Sequence, residues 1–128
     1  MCGIVGYVGS RSASPILMNG LRALEYRGYD SAGIYISGAG AMKRAGQVSA
    51  LADALPASFE GTCGIAHTRW ATHGAPTEVN AHPHTDGEEN VWLVHNGIIE
   101  NYADIRAELV KDGAVFNSDT DTEVLVAL

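Results

Sequence analysis

The chain has 128 residues, 46% of them apolar and 18% charged, which suits one globular domain. Its net charge of −7, from 8 basic and 15 acidic side chains, argues against nucleic acid and anionic membranes as partners. The sequence shows neither an apolar run of ~20 residues, as a membrane span requires, nor the pattern of a secretory signal peptide, so we expect a cytoplasmic protein.

In chain order, the hydrophobic pattern predicts alternating strands and helices. The first half contains a strand over 2–8, a helix that Ser14 caps, Pro15 opens and Gly28 ends, strands over 32–37 and 41–44 in a hairpin, and a helix over 47–55. The second half contains strands over 62–68 and 91–95, a helix over 101–111, and a helix opened by a capping box at Thr120 and Glu123.

Two stretches do not fit a compact arrangement of such elements. Residues 69–89 are too polar and turn-rich for regular structure, and a connection of this length is usually functional or disordered. The last helix stops at residue 128 with the apolar residues 124–128 still in need of partners. We therefore expect the chain to be a fragment of a larger domain.

Met1-Cys2-Gly3 places a cysteine where removal of the initiator methionine would make it the first residue. That residue would carry both a thiol and a free α-amine. Because an α-amine titrates near ~8, against ~8.5 for a thiol, the amine can accept the thiol proton near neutral pH. This pairs a nucleophile with its own general base, as with an N-terminal threonine. Chance also places cysteine at position 2, so the dipeptide alone leaves catalysis open.

The other cysteine and the histidines suggest structural roles. Cys63 lies in a small apolar stretch and is predicted to be buried. A disulfide to Cys2 is possible, although the expected cytosolic location favours free thiols. His82 and His84 come nearest to a chelating pair, but the sequence has no HExxH motif or Cys/His quartet. We therefore expect no metal, interpret His82 and His84 as structuring the long loop, and place His95 at a strand end near a pocket.

Five segments carry the functional signal: residues 2–7 (CGIVGY), 24–33 (LEYRGYDSAG), 67–74 (HTRWATHG), 95–102 (HNGIIENY) and 118–124 (SDTDTEV). Together they closely resemble the glutaminase domain of the glutamine–fructose-6-phosphate aminotransferases, class II glutamine amidotransferases of the N-terminal-nucleophile hydrolase group. The resemblance implies an α+β fold, a four-layer α-β-β-α sandwich, of which residues 1–128 form the N-terminal part. The rest of that domain and the sugar isomerase domains would be absent here.

The activity that the resemblance implies is hydrolysis of L-glutamine to glutamate and ammonia. In the full-length enzyme, a homodimer, the ammonia would pass to the isomerase domain and convert fructose 6-phosphate to glucosamine 6-phosphate. No cofactor is implied. A sibling such as amidophosphoribosyltransferase or asparagine synthetase is an alternative, although the unbroken HTRWATHG, YRGYDSAG and SDTDTEV strings favour the aminotransferase. A non-catalytic truncated fragment is a second alternative, which the unpaired apolar end favours.

The resemblance also implies a role for each residue of the catalytic centre. Cys2 corresponds to the nucleophile, and the Asn96 side chain with the Gly97 backbone N–H corresponds to the oxyanion hole. For this Asn-Gly pair the alternative is a plain hairpin turn. Arg69 corresponds to a clamp for the glutamine carboxylate, a task that suits a guanidinium fork, or else makes a surface salt bridge. Asp121 corresponds to the partner of the α-ammonium, or else only begins a helix.

The remaining candidates belong to the edges of the pocket. Trp70, Thr72 and His73 lie in the segment that resembles a loop closing over glutamine and excluding water. For Trp70 the alternative is a place in the core. Arg27 resembles a residue near the terminal amine, or else it only braces its turn.

Overall fold

A computed structural model describes residues 1–71 and 74–128. Its strands are β1 (Gly3–Val8), β2 (Ser31–Ile36), β3 (Gly40–Ala45), β4 (Cys63–Arg69), β5 (His84–Thr85) and β6 (Trp92–Leu93). Its α-helices are α1 (Ala13–Leu24), α2 (Val48–Ala54), α3 (Tyr102–Lys111) and α4 (Asp121–Ala127), and a 3₁₀ turn (Glu25–Arg27) follows α1. None of the helices within these ranges is long and apolar enough to cross a membrane.

The main sheet is antiparallel throughout and has the strand order β1-β4-β2-β3. One of its faces is covered by α1 and α2, whose apolar residues recur at helical spacing. The buried core between them includes Leu17, Leu21, Ile34, Ile36 and Leu51. The sheet is therefore held on this side by ordinary hydrophobic burial.

The opposite face of the sheet is covered by the segment that carries β5 and β6. These two short strands pair with each other, and Trp92 of β6 stacks on Tyr35 of β2 with ring centroids 4.5 Å apart. Gly33 of β2 permits this approach, because a Cβ there would lie 1.8 Å from the carbonyl oxygen of His82. Since α4 packs on β5 and β6, the layers are helix, sheet, sheet and helix, as predicted.

The start of α4 uses half of the predicted capping box. The Thr120 side chain accepts a hydrogen bond from the Glu123 backbone N–H at 3.3 Å, as an N-cap should. The Glu123 carboxylate does not reach back to residue 120. It accepts instead from the backbone N–H groups of Asn117 and Ser118, at 2.8 and 2.7 Å, and so ties the preceding loop to the helix.

Several predicted bounds were wrong. Helix α1 begins at Ala13 after the N-cap position Ser12, whose side chain makes no capping hydrogen bond, so Ser14 lies inside the helix. The strand predicted over 91–95 is reduced to Trp92–Leu93, and β5 forms within the stretch predicted to be irregular. The two differences in the strands arise because pairing with another strand, rather than the local sequence pattern, decides where a strand forms.

Cys63 is exposed, which corrects the prediction that it is buried. It is the first residue of β4 and pairs with Val8 at the end of β1, which is itself 80% exposed. Side chains alternate along a strand, and a Cβ on the next residue, Gly64, would face Leu17 of α1. The Cys63 side chain therefore points to the face away from the helices. Both cysteines are free thiols.

Candidate active site

The pairing of β1 with β4 brings the start of the chain to the end of β4. Gly3 lies opposite Thr68, and its N–H donates to the Thr68 hydroxyl at 3.1 Å. Cys2 therefore lies beside the residue that follows β4. Its Sγ accepts a hydrogen bond from the backbone N–H of Trp70 at 3.1 Å and lies 3.5 Å from the Trp70 carbonyl oxygen. These contacts hold the sulfur at a fixed position.

A cavity of about 450 Å³ opens at this sulfur, a volume typical of small-ligand sites. It is lined by every candidate residue that the structure describes: Cys2, Arg27, Arg69, Trp70, Asn96, Gly97 and Asp121. Thr72 and His73 lie outside the described residues. The chain thus brings together candidates from distant segments.

Asn96 and Gly97 do not form a hairpin turn. Among the described residues, β6 pairs only with β5, and the chain continues from Gly97 to α3. The Asn96 Nδ2 donates to the Cys2 carbonyl oxygen at 3.2 Å, and its Oδ1 lies 2.7 Å from His67 Nε2. Gly97 has φ 141°, a backbone conformation that favours glycine, and a Cβ would lie 3.0 Å from the His95 ring.

Arg69 is only 4% exposed, so the alternative of a surface salt bridge is wrong. Its guanidinium donates to the carbonyl oxygens of Ala75 at 3.1 Å and Gly74 at 3.4 Å, which fixes the side chain at the cavity wall. Burial lowers the pKa of Arg69, and electrostatic interaction with the acidic groups of Asp30, Cys2 and Asp121 opposes that shift. The site therefore has a buried cation in its wall.

Asp121 is both the first residue of α4 and a wall of the cavity. It is 4% exposed, and its Oδ2 accepts from the backbone N–H of Ile99 at 2.8 Å. This bond ties α4 to the segment just after Gly97. A carboxylate at the N-terminus of a helix is also stabilised by the helix dipole.

Trp70 and Arg27 form the outer rim of the cavity. Trp70 is 53% exposed, so its placement in the core is wrong, and its ring lies against Gly28, where a Cβ would come within 2.8 Å. The Met1 terminal ammonium donates to the Arg27 carbonyl oxygen at 2.8 Å. The Arg27 guanidinium lies 3.7 Å from the Met1 sulfur. Arg27 thus adjoins the chain terminus.

Comparison with known protein families shows which family the chain belongs to. The sequence model described as "Glutamine amidotransferase domain" matches residues 51–128. The chain belongs to the glutamine amidotransferase domain family.

Relatives of this amidotransferase domain include proteins named glutamine–fructose-6-phosphate aminotransferase (isomerizing). Those of Thermus thermophilus and Thermococcus kodakarensis are 56% and 53% identical, each over 100% of this chain and 22% of the relative. That of Symbiobacterium thermophilum is 57% identical over 98% of this chain and 21% of the relative. The chain therefore spans about a fifth of the length of these relatives.

A solved structure shows the same fold. The glutamine phosphoribosylpyrophosphate amidotransferase from B. subtilis, complexed with ADP and GMP, superposes with a TM-score of 0.84 at 28% identity. The match covers 100% of this chain and 29% of that one. The predicted α+β fold of the N-terminal-nucleophile hydrolase group is thereby confirmed.

Three buried histidines stack at the cavity of the amidotransferase domain: His67 and His82 line it, and His84 packs against His82. None of the three was predicted from the sequence to be part of the site. The rings of His67 and His82 lie 4.2 Å apart and nearly parallel, and His84 meets His82 edge-on at 4.8 Å. Burial lowers the pKa of His67 to about 4 and that of His84 to about 3, and it lowers the pKa of His82 as well. All are therefore neutral near pH 7.

The stacked histidines fasten the long loop to its neighbours, as predicted for His82 and His84. His82 Nδ1 accepts from the backbone N–H of His95 at 3.2 Å, and His84 Nε2 lies 3.0 Å from the Thr120 hydroxyl. His95 lies at the cavity wall, as expected. Among residues 1–71 and 74–128, no group of His, Cys, Asp and Glu is arranged to hold a metal ion.

Asp30 is a second residue that sequence reasoning missed. Its carboxylate accepts from the backbone N–H of Ala71, and its own N–H donates to the Arg69 carbonyl oxygen at 2.7 Å. It thus holds the chain on both sides of Trp70. Asp30 lies in the YRGYDSAG segment, which could have indicated a role in the site. Sequence spacing alone, however, does not show which backbone groups an aspartate after a turn will contact.

Proposed function

We propose that this chain hydrolyses L-glutamine to glutamate and ammonia, with Cys2 as the nucleophile, and forms the N-terminal part (residues 1–128) of a glutaminase domain. The observation that carries the proposal is the convergence of Cys2, Arg69, Asn96, Gly97 and Asp121 on one cavity. These residues come from separate segments of the chain. Their chemistry matches each step that glutamine hydrolysis requires.

The first step is attack of the Cys2 sulfur on the side-chain amide carbon of glutamine. With Met1 removed, the α-amine of Cys2 accepts the thiol proton, because it is the nearest base with a suitable pKa. The amide oxygen then becomes an oxyanion. The Asn96 Nδ2, which lies beside Cys2, and the Gly97 N–H are the groups we assign to stabilise it.

In the second step the tetrahedral intermediate expels ammonia and leaves a thioester on Cys2. The α-amine returns its proton to the leaving nitrogen. Water, which gives a proton to the α-amine, then attacks the thioester carbon through a second oxyanion. The C–S bond breaks, the proton passes to the Cys2 sulfur, and glutamate departs. The same donors serve both oxyanions, which explains why one preorganised pair is sufficient.

Recognition of the α-carboxylate and α-ammonium of glutamine needs one cationic and one anionic group in the same cavity as the sulfur. Arg69 supplies a guanidinium fork that suits a carboxylate, and Asp121 supplies a carboxylate that suits an ammonium. Both are buried, so their charges act in a medium of low dielectric. Trp70, Thr72 and His73 are assigned to the loop that covers the substrate, and Arg27 to the surroundings of the terminal amine.

In the whole protein we propose that the ammonia passes to a sugar isomerase domain and forms glucosamine 6-phosphate from fructose 6-phosphate. We further propose a homodimer in the cytoplasm, with no cofactor. The support for the sugar reaction is identity of 53–57% to proteins named for it, against 28% to the phosphoribosylpyrophosphate amidotransferase. The latter activity is therefore the weaker candidate.

The N-terminus provides the decisive test. Any residue retained before Cys2 turns its amine into an amide without a basic lone pair, so protein that keeps Met1 or a tag remnant should show only background glutaminase activity. Protein that begins at Cys2 should be active, and Cys63→Ser, which changes an exposed thiol outside the cavity, should match it. Equal activity from extended and processed protein would exclude this mechanism.

A further inference from the structure

The orientation of the Asn96 side-chain amide is fixed by its two partners. The Cys2 carbonyl oxygen can only accept a hydrogen bond, so the group 3.2 Å from it must be the Asn96 Nδ2. The other end of the amide, Oδ1, therefore faces His67 Nε2 at 2.7 Å. Since Oδ1 is also only an acceptor, Nε2 must carry the proton.

His67 is placed to keep that proton on Nε2. Its side chain is 1% exposed on β4, and burial lowers its pKa to about 4, so the ring is neutral near pH 7. Its Nδ1 has no hydrogen-bond partner among the described residues. A proton on Nδ1 alone would set two acceptors, Nε2 and the Asn96 Oδ1, against each other at 2.7 Å.

We propose that His67 is a positioning residue for catalysis, whose Nε2–H holds the Asn96 Oδ1 so that Nδ2 faces the developing oxyanion. The inference rests on the proposed function, since it assumes that Asn96 is an oxyanion donor. Without His67, only the Cys2 carbonyl oxygen would oppose a half-turn of the amide, and that half-turn would present Oδ1 to the oxyanion and repel it. The neighbouring strands hold His67 in register, opposite Ile4 of β1 and Gly33 of β2.

The test is a double-mutant cycle on protein expressed from its own complete gene and processed to begin at Cys2. His67→Leu and Asn96→Ala are made singly and together, and kcat and KM for glutamine hydrolysis are measured per folded molecule. Loss of one oxyanion donor typically lowers kcat by ~10²–10³-fold, so Asn96→Ala should fall in this range. His67→Leu should lower kcat by up to that factor with little change in KM, and it should cost nothing further in the Asn96→Ala protein.

A conservative pair keeps the proposal testable if His67→Leu does not fold. The amide nitrogen of glutamine can reach the position of Nε2, whereas that of asparagine reaches only the position of Nδ1. His67→Gln should therefore retain a higher kcat than His67→Asn. Equal kcat values in these two variants would overturn the proposal.

The cycle separates failure of this inference from failure of the proposed function. If Asn96→Ala keeps a normal kcat, Asn96 is not an oxyanion donor, and both the inference and that part of the proposed function fall. If Asn96→Ala is impaired but His67→Leu costs the same factor with and without Asn96, the two residues act independently. The positioning role is then overturned while the oxyanion assignment stands.

Discussion

At the scale of the residue, arginine is usually exposed, but Arg69 at the end of β4 is buried in the cavity wall. The backbone carbonyls of Gly74 and Ala75 satisfy part of its guanidinium, and its burial strengthens any charge pairing in the cavity. An exposed arginine would lose most of that strength to solvent screening.

Arg69→Lys keeps the positive charge but removes the planar fork, so we expect the KM for glutamine to rise far more than kcat falls. Arg44→Lys is the matched control. Arg44 makes a partly exposed ion pair with Glu78, 3.7 Å apart, and such pairs contribute ~0–1 kcal/mol. Steady-state kinetics should show that this control leaves both constants unchanged. A similar small effect at Arg69 would contradict the carboxylate clamp.

The residue scale is also where the sequence was most informative. The resemblance of five motifs to the glutaminase domain predicts Cys2, Arg69, Asn96 and Asp121 as site residues, and the structure places all four at one cavity. The positioning role that we propose for His67 could not be predicted in this way. Its function depends on which atom faces Asn96, and that is decided by strand register and burial rather than by residue type.

At the scale of the element, the second face of the main sheet depends on β2 approaching the loop that carries β5. Gly33→Ala would place a Cβ 1.8 Å from the His82 carbonyl oxygen, which is backbone and cannot move aside cheaply. We expect a loss of about 1–3 kcal/mol or more in the free energy of unfolding.

Gly6→Ala is the control for that change. Gly6 lies in β1 of the same sheet, and a Cβ there meets nothing within 4 Å. Its free energy of unfolding should stay the same or rise slightly, because alanine restricts the unfolded chain. Urea denaturation of both variants measures the difference, and equal stabilities would show that the loop does not rest on β2 as described.

Helices and strands were predicted correctly where a local apolar pattern determines them, and incorrectly where pairing with a distant segment determines them. The α3 helix and the β2–β3 hairpin follow from apolar periodicity, and the structure has them within a residue or two of the predicted bounds. β5 has only two residues, and it exists because β6 pairs with it. Cys63 was misplaced for the same reason, since an apolar stretch does not show which face of its strand will be covered.

At the scale of the whole molecule, the two sheet layers meet across the stacked histidines. His67 belongs to the main sheet, His84 to β5, and His82 lies between them. Their neutral rings pack between the two sheets, and His67 and His82 also line the cavity, so the contact between the layers depends on the unprotonated state of these rings. Protonation of any ring would bury a charge between the layers.

This arrangement predicts a loss of stability in mild acid. The folded-state pKa values of His67, about 4, and His84, about 3, lie below the unfolded value of ~6.5, so the unfolded chain binds more protons in this range. Stability is therefore full above pH ~6.5 and falls as the pH drops toward the folded values. Between pH 7.5 and pH 5 each of these histidines should cost about 2 kcal/mol.

Urea unfolding at pH 7.5, 6.5, 6.0 and 5.0 measures the effect in a range where most carboxylates remain ionised. His67→Gln removes one titrating ring and should make the dependence shallower by about 2 kcal/mol over this interval, whatever its effect at pH 7.5. Because the predicted loss comes from the unfolded chain gaining protons, it should persist in high salt, unlike a loss from surface ion pairs. Stability that stays constant from pH 7.5 to pH 5 would mean that the stacked histidines gain protons as readily in the folded chain as in the unfolded one, and that the layers do not exclude charge.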